Sequence, residues 1–193
     1  MHVMSSWINR ALPGLLLLAA CVAPGGGGSS STPVLGGALT VAVPAGYCID
    51  PRAGHDDGRS ALVIAGRCAA DSPVPAAVLT VSVGDEGSSS ILQAGAGALS
   101  DWARSPAGRA ALARDGKAGS VAVRETLIWD GAFLIRLEDR AIGPYWRAAI
   151  GLKGRLVMIS VSPPSQRGLP LQEGRAILER AIAGVKRANA ASP

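Results

Sequence analysis

Apolar residues alternate with polar or small residues along several short segments of the chain. In the first such segment, Leu39, Val41 and Val43 alternate with Thr40 and Ala42. A period of two with β-branched residues is typical of a β-strand with one buried face. The same alternation predicts strands reaching Cys48 and over residues 61–68 and 79–83, a strand pair within residues 120–141, and a second pair from residue 145 to residue 162. The chain is therefore rich in strands.

Turn residues join two pairs of these strands. Asp130-Gly131 lies in the middle of the segment 120–141, and Asp-Gly is a strong signal for a tight hairpin turn. Lys153-Gly154 occupies the same place in the last strand pair. We expect two antiparallel hairpins in this half of the chain.

Helical patterns separate and follow the strands. Residues 90–104 are rich in Ala, Leu and Arg and predict a helix. Ser105 and Pro106 form an N-cap and first-turn pair that begins a second, short helix, which Gly116 closes.

A final helix is predicted in residues 169–190. Its apolar residues fall on one face, and its charged residues tend to lie off that face: Leu171, Leu178, Ala181, Ile182 and Val185 against Arg175, Glu179, Arg180, Lys186 and Arg187. Packing on the sheet is favoured over binding to a membrane surface, because this face lacks Trp and Phe. The element order predicts an α+β fold: an antiparallel sheet of about six to seven strands with helices packed on its faces.

The first twenty residues have a different pattern. Residues 1–10 carry one basic side chain, Arg10, and no acid, and residues 11–20 are apolar. A segment of this length is about half of what is needed to span a bilayer. A basic start, a short apolar core and small residues at its end are typical of a secretory signal peptide.

The end of this segment, Leu18-Ala19-Ala20-Cys21, resembles the lipobox of bacterial lipoproteins. The resemblance implies cleavage before Cys21, a diacylglyceryl group on its thiol and an acyl chain such as palmitate on its new amine. Val22 at the next position, where Asp would cause retention in the inner membrane, implies the outer membrane. The alternative is a cysteine that ends an ordinary signal peptide. Residues 21–37 are rich in Gly and Ser and predict a flexible tether, residues 38–188 a single domain and residues 189–193 a tail.

Cys48 and Cys68 remain for the folded domain. The secretory route leads to an oxidising compartment, so we expect a disulfide between them, although a metal or redox pair is the alternative. Two antiparallel strands flanking a polar turn would mirror these positions about Gly58. No Cys-x-x-Cys motif is present, and His55 is the only histidine beyond the signal peptide.

The order of elements and the segment "VAVPAGYCI" at 41–49 resemble the PsbP-like fold over residues 38–188. The segment "GYCID" is also similar to that of small envelope lipoproteins of alphaproteobacteria. The PsbP-like resemblance implies one of several unrelated roles, most of which are binding or assembly without catalysis. We therefore expect a lipid-anchored binding or assembly factor facing the periplasm, whose partner is an envelope protein or a glycan.

Other kinds of chemistry find little support. The net charge of +5 is spread along the chain with no basic run, which argues against nucleic acid as a partner. His55, Asp56 and Asp57 could hold a metal ion, but a solvated loop is favoured. The segment "DGKAGS" has Ala111 and Ala118 where a phosphate-binding loop needs Gly and Ser or Thr, and "GAGALS" does not directly follow a strand, so we expect no cofactor and no metal.

Two sets of residues are candidate sites. One is an aromatic and basic patch near the hairpin turns, for which a partner surface and ordinary sheet-covering side chains are both open: Trp129, Arg136, Tyr145, Trp146 and Arg147. The other is a set of carboxylates, Asp50, Glu125 and Glu138, which would serve an envelope hydrolase if they converged. Salt bridging is the favoured role for these carboxylates.

Overall fold

The computed structural model describes residues 28–164 and 168–190. Within them lie ten strands and three α-helices. The strands are β1 (Ser31–Val34), β2 (Leu39–Ala42), β3 (Tyr47–Ile49), β4 (His55–Asp56), β5 (Ala61–Arg67), β6 (Val78–Glu86), β7 (Val121–Trp129), β8 (Ala132–Asp139), β9 (Gly143–Leu152) and β10 (Arg155–Ser162). The helices are α1 (Gly95–Arg104), α2 (Pro106–Leu112) and α3 (Leu171–Asn189). The predicted signal peptide and Cys21 lie outside the described residues.

The predicted fold class, α+β with an antiparallel sheet, is confirmed. The main sheet has the order β3-β5-β6-β10-β9-β8-β7, with the short β4 also paired to β5. It therefore holds eight strands, not six to seven, because β4 is too short to show an alternating pattern. Strands β1 and β2 form a separate two-stranded sheet. None of the described helices is apolar over a length that would cross a bilayer.

The predicted strand from Leu39 to Cys48 is two strands in two different sheets. Strand β2 pairs with β1, whereas β3 pairs with β5. Pro44, which has no N–H, follows β2, and Gly46 has a φ of +87° that few other residues adopt. These two residues turn the chain between the sheets.

The folded domain begins and ends outside the predicted boundaries of 38 and 188. Strand β1 lies inside the predicted tether, and Val34 and Leu35 at its end are buried. At the other end, Asn189, predicted to begin the tail, belongs to α3. Its Nδ2 donates to the Thr40 carbonyl at 2.7 Å and its Oδ1 accepts from the Thr40 N–H at 2.9 Å. Val34 and Leu35 therefore extend the folded domain into the predicted tether, and Asn189 extends it into the predicted tail.

The predicted disulfide is present. The sulfur atoms of Cys48 and Cys68 are 2.02 Å apart. Strands β3 and β5 are antiparallel neighbours, as predicted, with Cys48 opposite Gly66. Gly58 has a φ of +80° in the turn between the two cysteines. The bridge ties the edge of the main sheet to the loop after β5.

Helix α3 covers one side of the main sheet, which we call the α3 face. Its apolar residues pack against β9 and β10 of the main sheet and against β2, and the largest core of the domain, which includes residues of β6, lies here. Its fully buried helix residues are Ile177, Leu178, Ala181, Ile182 and Val185. The predicted amphipathic helix therefore packs on the sheet.

Helices α1 and α2 lie on the opposite side, which we call the α1–α2 face. Their apolar residues Leu99, Ala103 and Leu112 pack against β7, β8 and β9. On the same side, the residues of β5 and β6 remain partly exposed: Leu62, Ile64, Thr80 and Ser82. Helices α1 and α2 thus cover only half of this face. Helix α2 lies at the boundary between the covered half and the open half.

The predicted helix at 90–104 is divided at Gly95 into a 3-10 segment and an α-helix. Residues Ser88–Ala94 form a 3-10 helix, and α1 begins at Gly95, which has a φ of +84°. Serine and glycine are poor formers of α-helix, which explains the break. Both hairpin turns form as predicted, with positive φ at Asp130-Gly131 and Lys153-Gly154, the backbone of a type I′ turn.

The N-cap predicted at Ser105 is confirmed. Its hydroxyl accepts from the Gly108 N–H at 3.0 Å, and Pro106 occupies the first turn, although α2 ends at Leu112, before the predicted Gly116.

We expect Ser105→Ala to lower the free energy of unfolding by about 1 kcal/mol, because the Gly108 N–H then loses this acceptor. Urea unfolding followed by circular dichroism measures the loss, and Ser105→Asp, which keeps an acceptor, is the control. Equal stability of the alanine variant and the parent would contradict the cap.

Candidate functional site

The predicted aromatic and basic patch does not form one surface. Arg136 lies opposite Trp146 on the α3 face, and Trp129 packs against the core on that face. Tyr145 and Arg147 alternate with Trp146 along β9 and therefore point to the α1–α2 face. Tyr145 and Trp146 are also 3% and 4% exposed. The interpretation as a single partner patch is wrong, because neighbours along a strand point to opposite faces.

Trp146 connects the sheet to α3. Its indole Nε1 donates to the Leu171 carbonyl at 3.0 Å, and the guanidinium of Arg175 lies 5.6 Å from its ring centre. The buried indole ring of Trp146 thus fixes the start of α3 against the sheet. Trp146 is part of the core.

The three candidate carboxylates do not converge. Glu125 accepts a hydrogen bond from Arg136 at 3.1 Å, and Glu138 accepts one from Arg124 at 2.7 Å. Asp50 follows β3, at the opposite edge of the main sheet from β7 and β8. The two glutamates therefore form salt bridges, as the sequence analysis favoured. The three carboxylates share no common site.

The loop around His55 uses its carboxylates locally. Asp56 accepts from the Leu35 N–H at 2.7 Å and fixes the β1–β2 sheet against β4. Asp57 accepts from the backbone N–H groups of Ser60 and Arg59, and these hydrogen bonds lower the pKa of Asp57. Over residues 28–164 and 168–190, no group of three His, Cys, Asp or Glu side chains is placed to hold a metal ion.

Polar side chains meet on the open half of the α1–α2 face. Thr80 of β6 lies opposite Ser160 of β10, and Ser160 lies opposite Arg147 of β9. Directly opposed residues of antiparallel strands share one face of the sheet. Ser82 and Ser162 lie two positions along β6 and β10 on the same face. We call these five residues the Arg147 groove.

Arg147 lies where the groove meets the helices. Its Nε donates to the Ser160 hydroxyl at 2.9 Å, and its Nη1 donates to the Leu112 carbonyl at the end of α2 at 3.3 Å. A guanidinium has five N–H groups, and these bonds use two, so three remain. No ion pair joins Arg147 to a carboxylate of the described residues. The side chain is therefore fixed in place and keeps its charge uncompensated.

Tyr145 lies beside Arg147 on the same face. The guanidinium carbon of Arg147 is 5.8 Å from the centre of the Tyr145 ring. The Tyr145 hydroxyl is buried and has no hydrogen-bond partner among the described residues. Burial raises the pKa of Tyr145, while Arg147 lowers it, Asp139 raises it and Arg114 lowers it by smaller amounts. The hydroxyl therefore keeps its proton at neutral pH and is available as a donor.

Two adjoining cavities extend along the groove and share Thr80, Arg147 and Ser160. The first, of about 380 Å³, is further lined by Ile64, Val78, Arg114, Ile142, Tyr145, Ser162, Pro163 and Pro164. The second, of about 320 Å³, is further lined by Leu62, Ser82, Trp102, Ala111, Leu112, Leu156 and Met158. Both volumes fall within the range of about 300–1000 Å³ that is typical of small-molecule sites.

The sequence contained part of the signal for this groove. Thr80 and Ser82 alternate with the buried residues of β6, and Ser160 and Ser162 do the same in β10. That pattern shows a polar face on each strand. The groove also requires β6 and β10 to be neighbours, and this pairing joins residues about eighty positions apart in the chain, with no local turn to indicate it.

Comparison with known proteins finds no match among family models, curated proteins or solved structures. The resemblances to the lipobox and to the PsbP-like fold stay predictions from the sequence. The candidate site therefore depends on the geometry of the chain itself.

Proposed function

We propose that the chain is a lipid-anchored protein of the cell envelope that binds a ligand, without catalysis, in the Arg147 groove. The observation that carries this proposal is the arrangement at Arg147, a positioned cation in a half-open groove whose charge no described carboxylate neutralises. A site that is concave, partly apolar and equipped with a few fixed polar groups is typical of ligand binding.

The lining of the groove supports binding over hydrolysis. A hydrolase that uses a hydroxyl or water as nucleophile also needs a general base, most often histidine or a carboxylate, placed beside it. The described residues that line the two cavities include hydroxyls, arginines and one tyrosine, but no histidine, cysteine or carboxylate. These groups recognise polar and negatively charged ligands.

The anchored location is supported by the sequence alone, from Leu18 to Cys21. We expect the purified protein to begin at Cys21 and to carry a diacylglyceryl group on that thiol, with an acyl chain on the amine. Intact mass and N-terminal peptide mass spectrometry of the protein from membranes test this. A Cys21→Ser variant is the control, and we expect it to keep its signal peptide uncleaved and to lack lipid. An unmodified Cys21 in the parent protein would contradict the anchor.

Ligand binding in the groove is tested in cells with a photo-crosslinking amino acid. Position Ala111 suits it, because Ala111 is exposed and lines the second cavity. We expect one dominant crosslinked species from position 111 and its loss in an Arg147→Ala background. The matched control is position Gln172, which is exposed on α3 at the other face of the sheet. Identical products from positions 111 and 172, or products unchanged by Arg147→Ala, would contradict the groove.

A further inference from the structure

We infer that the Arg147 groove binds an acidic saccharide, with the carboxylate or phosphate group of the sugar held by Arg147, Arg114 and Tyr145. This inference rests on the proposed function, because it names the ligand class of the same groove. The ligand is a sugar that carries a negative charge, and a sugar carboxylate and a sugar phosphate are tested separately.

Arg147 is held in a fixed orientation in the groove. Two bonds, to Ser160 and to the Leu112 carbonyl, fix the plane of its guanidinium. Its remaining N–H groups form the planar fork that matches two oxygens of a carboxylate or phosphate. Because the fork is positioned before a ligand arrives, little side-chain entropy is lost on binding. Arg147 is thus a prepared partner for an oxyanion.

Tyr145 independently favours a ligand that accepts a hydrogen bond. Its side chain is buried at 3% exposure, lines the first cavity and has a hydroxyl without a partner among the described residues. A buried hydroxyl that makes no hydrogen bond destabilises a protein, and an acceptor from a ligand would relieve that cost. An oxyanion held by Arg147 offers such an acceptor beside the tyrosine.

The charges around this end of the groove favour an anion. Arg114, at the exposed end of the same cavity, adds a second positive charge near Tyr145. Asp139 also lies near Tyr145, but its carboxylate accepts the N–H groups of Ala141 and Ile142 and holds the turn before β9. Two arginines against one carboxylate that is engaged by the backbone leave this end positive.

The rest of the groove fits a sugar ring better than it fits a simple ion. Thr80, Ser82 and Ser162 present hydroxyls that can both donate to and accept from sugar hydroxyls. Trp102, 42% exposed, lines the far end and offers an aromatic face for the apolar side of a ring. A ligand that fills the groove therefore combines one negative group with several hydroxyls.

The test is calorimetric titration of the full chain, purified in a non-ionic detergent, with four probes. The probes are a galacturonic acid trisaccharide, glucose 1-phosphate, neutral maltotriose, and a mixture of acetate and inorganic phosphate. We expect one of the first two probes to bind at least about 10-fold more tightly than maltotriose and than the simple anions. The better of the two identifies carboxylate or phosphate as the charged group.

Variants assign that binding to the groove. We expect Arg147→Ala to weaken the preferred probe about 10- to 100-fold, the range for loss of charged hydrogen bonds. Arg147→Lys should retain only part of the affinity, because it keeps the charge and loses the fork. Tyr145→Phe should weaken binding without lowering stability, since the hydroxyl has no partner among the described residues. Arg187→Ala, an exposed arginine on α3, is the charge-matched control and should bind like the parent.

Some outcomes overturn the inference. Equal affinity of Arg147→Ala and Arg187→Ala, equal binding of charged and neutral sugars, or no binding of either charged sugar would each do so. A thermal unfolding scan of each variant separates loss of binding from loss of folding, and Arg147→Lys supplies the second variant if the alanine form does not fold. If the crosslink at position 111 depends on Arg147 while no charged sugar binds, the ligand class is wrong and the groove stands.

Discussion

Replacing Trp146 by alanine is expected to lower the free energy of unfolding by about 3–5 kcal/mol, the range for deleting a buried aromatic side chain. The ring is 4% exposed, and its indole N–H holds the Leu171 carbonyl at the start of α3. The substitution leaves a cavity between α3 and the sheet, and it also removes the ring on which Arg175 lies. Such a loss is a large part of the stability of a typical domain.

Urea unfolding at equilibrium, followed by circular dichroism, measures this effect. Trp102→Ala is the matched control, since Trp102 is 42% exposed and outside both core clusters. We expect the control to change the free energy of unfolding by less than about 1 kcal/mol. If the two variants lost the same stability, Trp146 would not be the residue that joins α3 to the sheet.

Removing the Cys48–Cys68 bridge is expected to lower the free energy of unfolding by about 3 kcal/mol. The bond closes a loop with a sequence separation of 20 residues, and closing a loop of this size restricts the unfolded chain by about that amount. The double variant Cys48→Ser/Cys68→Ser and the parent treated with a reductant should therefore unfold at similar, lower urea concentrations.

The double variant is also the control for the reductant, which should have no further effect on it. The parent without reductant should unfold at the highest urea concentration of the set. Equal unfolding midpoints for the oxidised and the reduced parent would contradict a stabilising bridge between β3 and the loop after β5.

Local signals in the sequence predicted much of the fold. Asp130-Gly131 and Lys153-Gly154 formed the expected turns because glycine adopts positive φ without steric cost and Asp also tolerates it. Ser105 and Pro106 began α2 for the same kind of reason. The disulfide joins Cys48 on β3 to Cys68, which directly follows the adjacent antiparallel strand β5. Each of these features depends on residues close in sequence or on one pairing.

Features that depend on distant pairing were not predicted. The sequence placed Tyr145, Trp146 and Arg147 together because they are consecutive, but a strand directs them to opposite faces. The site instead joins Arg147 to Thr80 and Ser160, which meet only because β6, β10 and β9 are neighbours in the sheet. Nothing local to β6 specifies that β10 lies beside it. The sequence predicted one strand from Leu39 to Cys48. The structure divides it into β2 and β3, because the chain passes from one sheet to the other after Pro44.

Titration of the ¹⁵N-labelled full chain with the galacturonic acid trisaccharide and with glucose 1-phosphate, followed by amide chemical shifts, tests the central claim most directly. With the probe that binds, we expect the largest shifts at Thr80, Arg147 and Ser160, with smaller shifts along α2. The residues of α3, on the opposite face of the sheet, should show no change. Shifts that centre on α3, or no shifts in the groove at saturating concentrations of both probes, would contradict a ligand site built around Arg147.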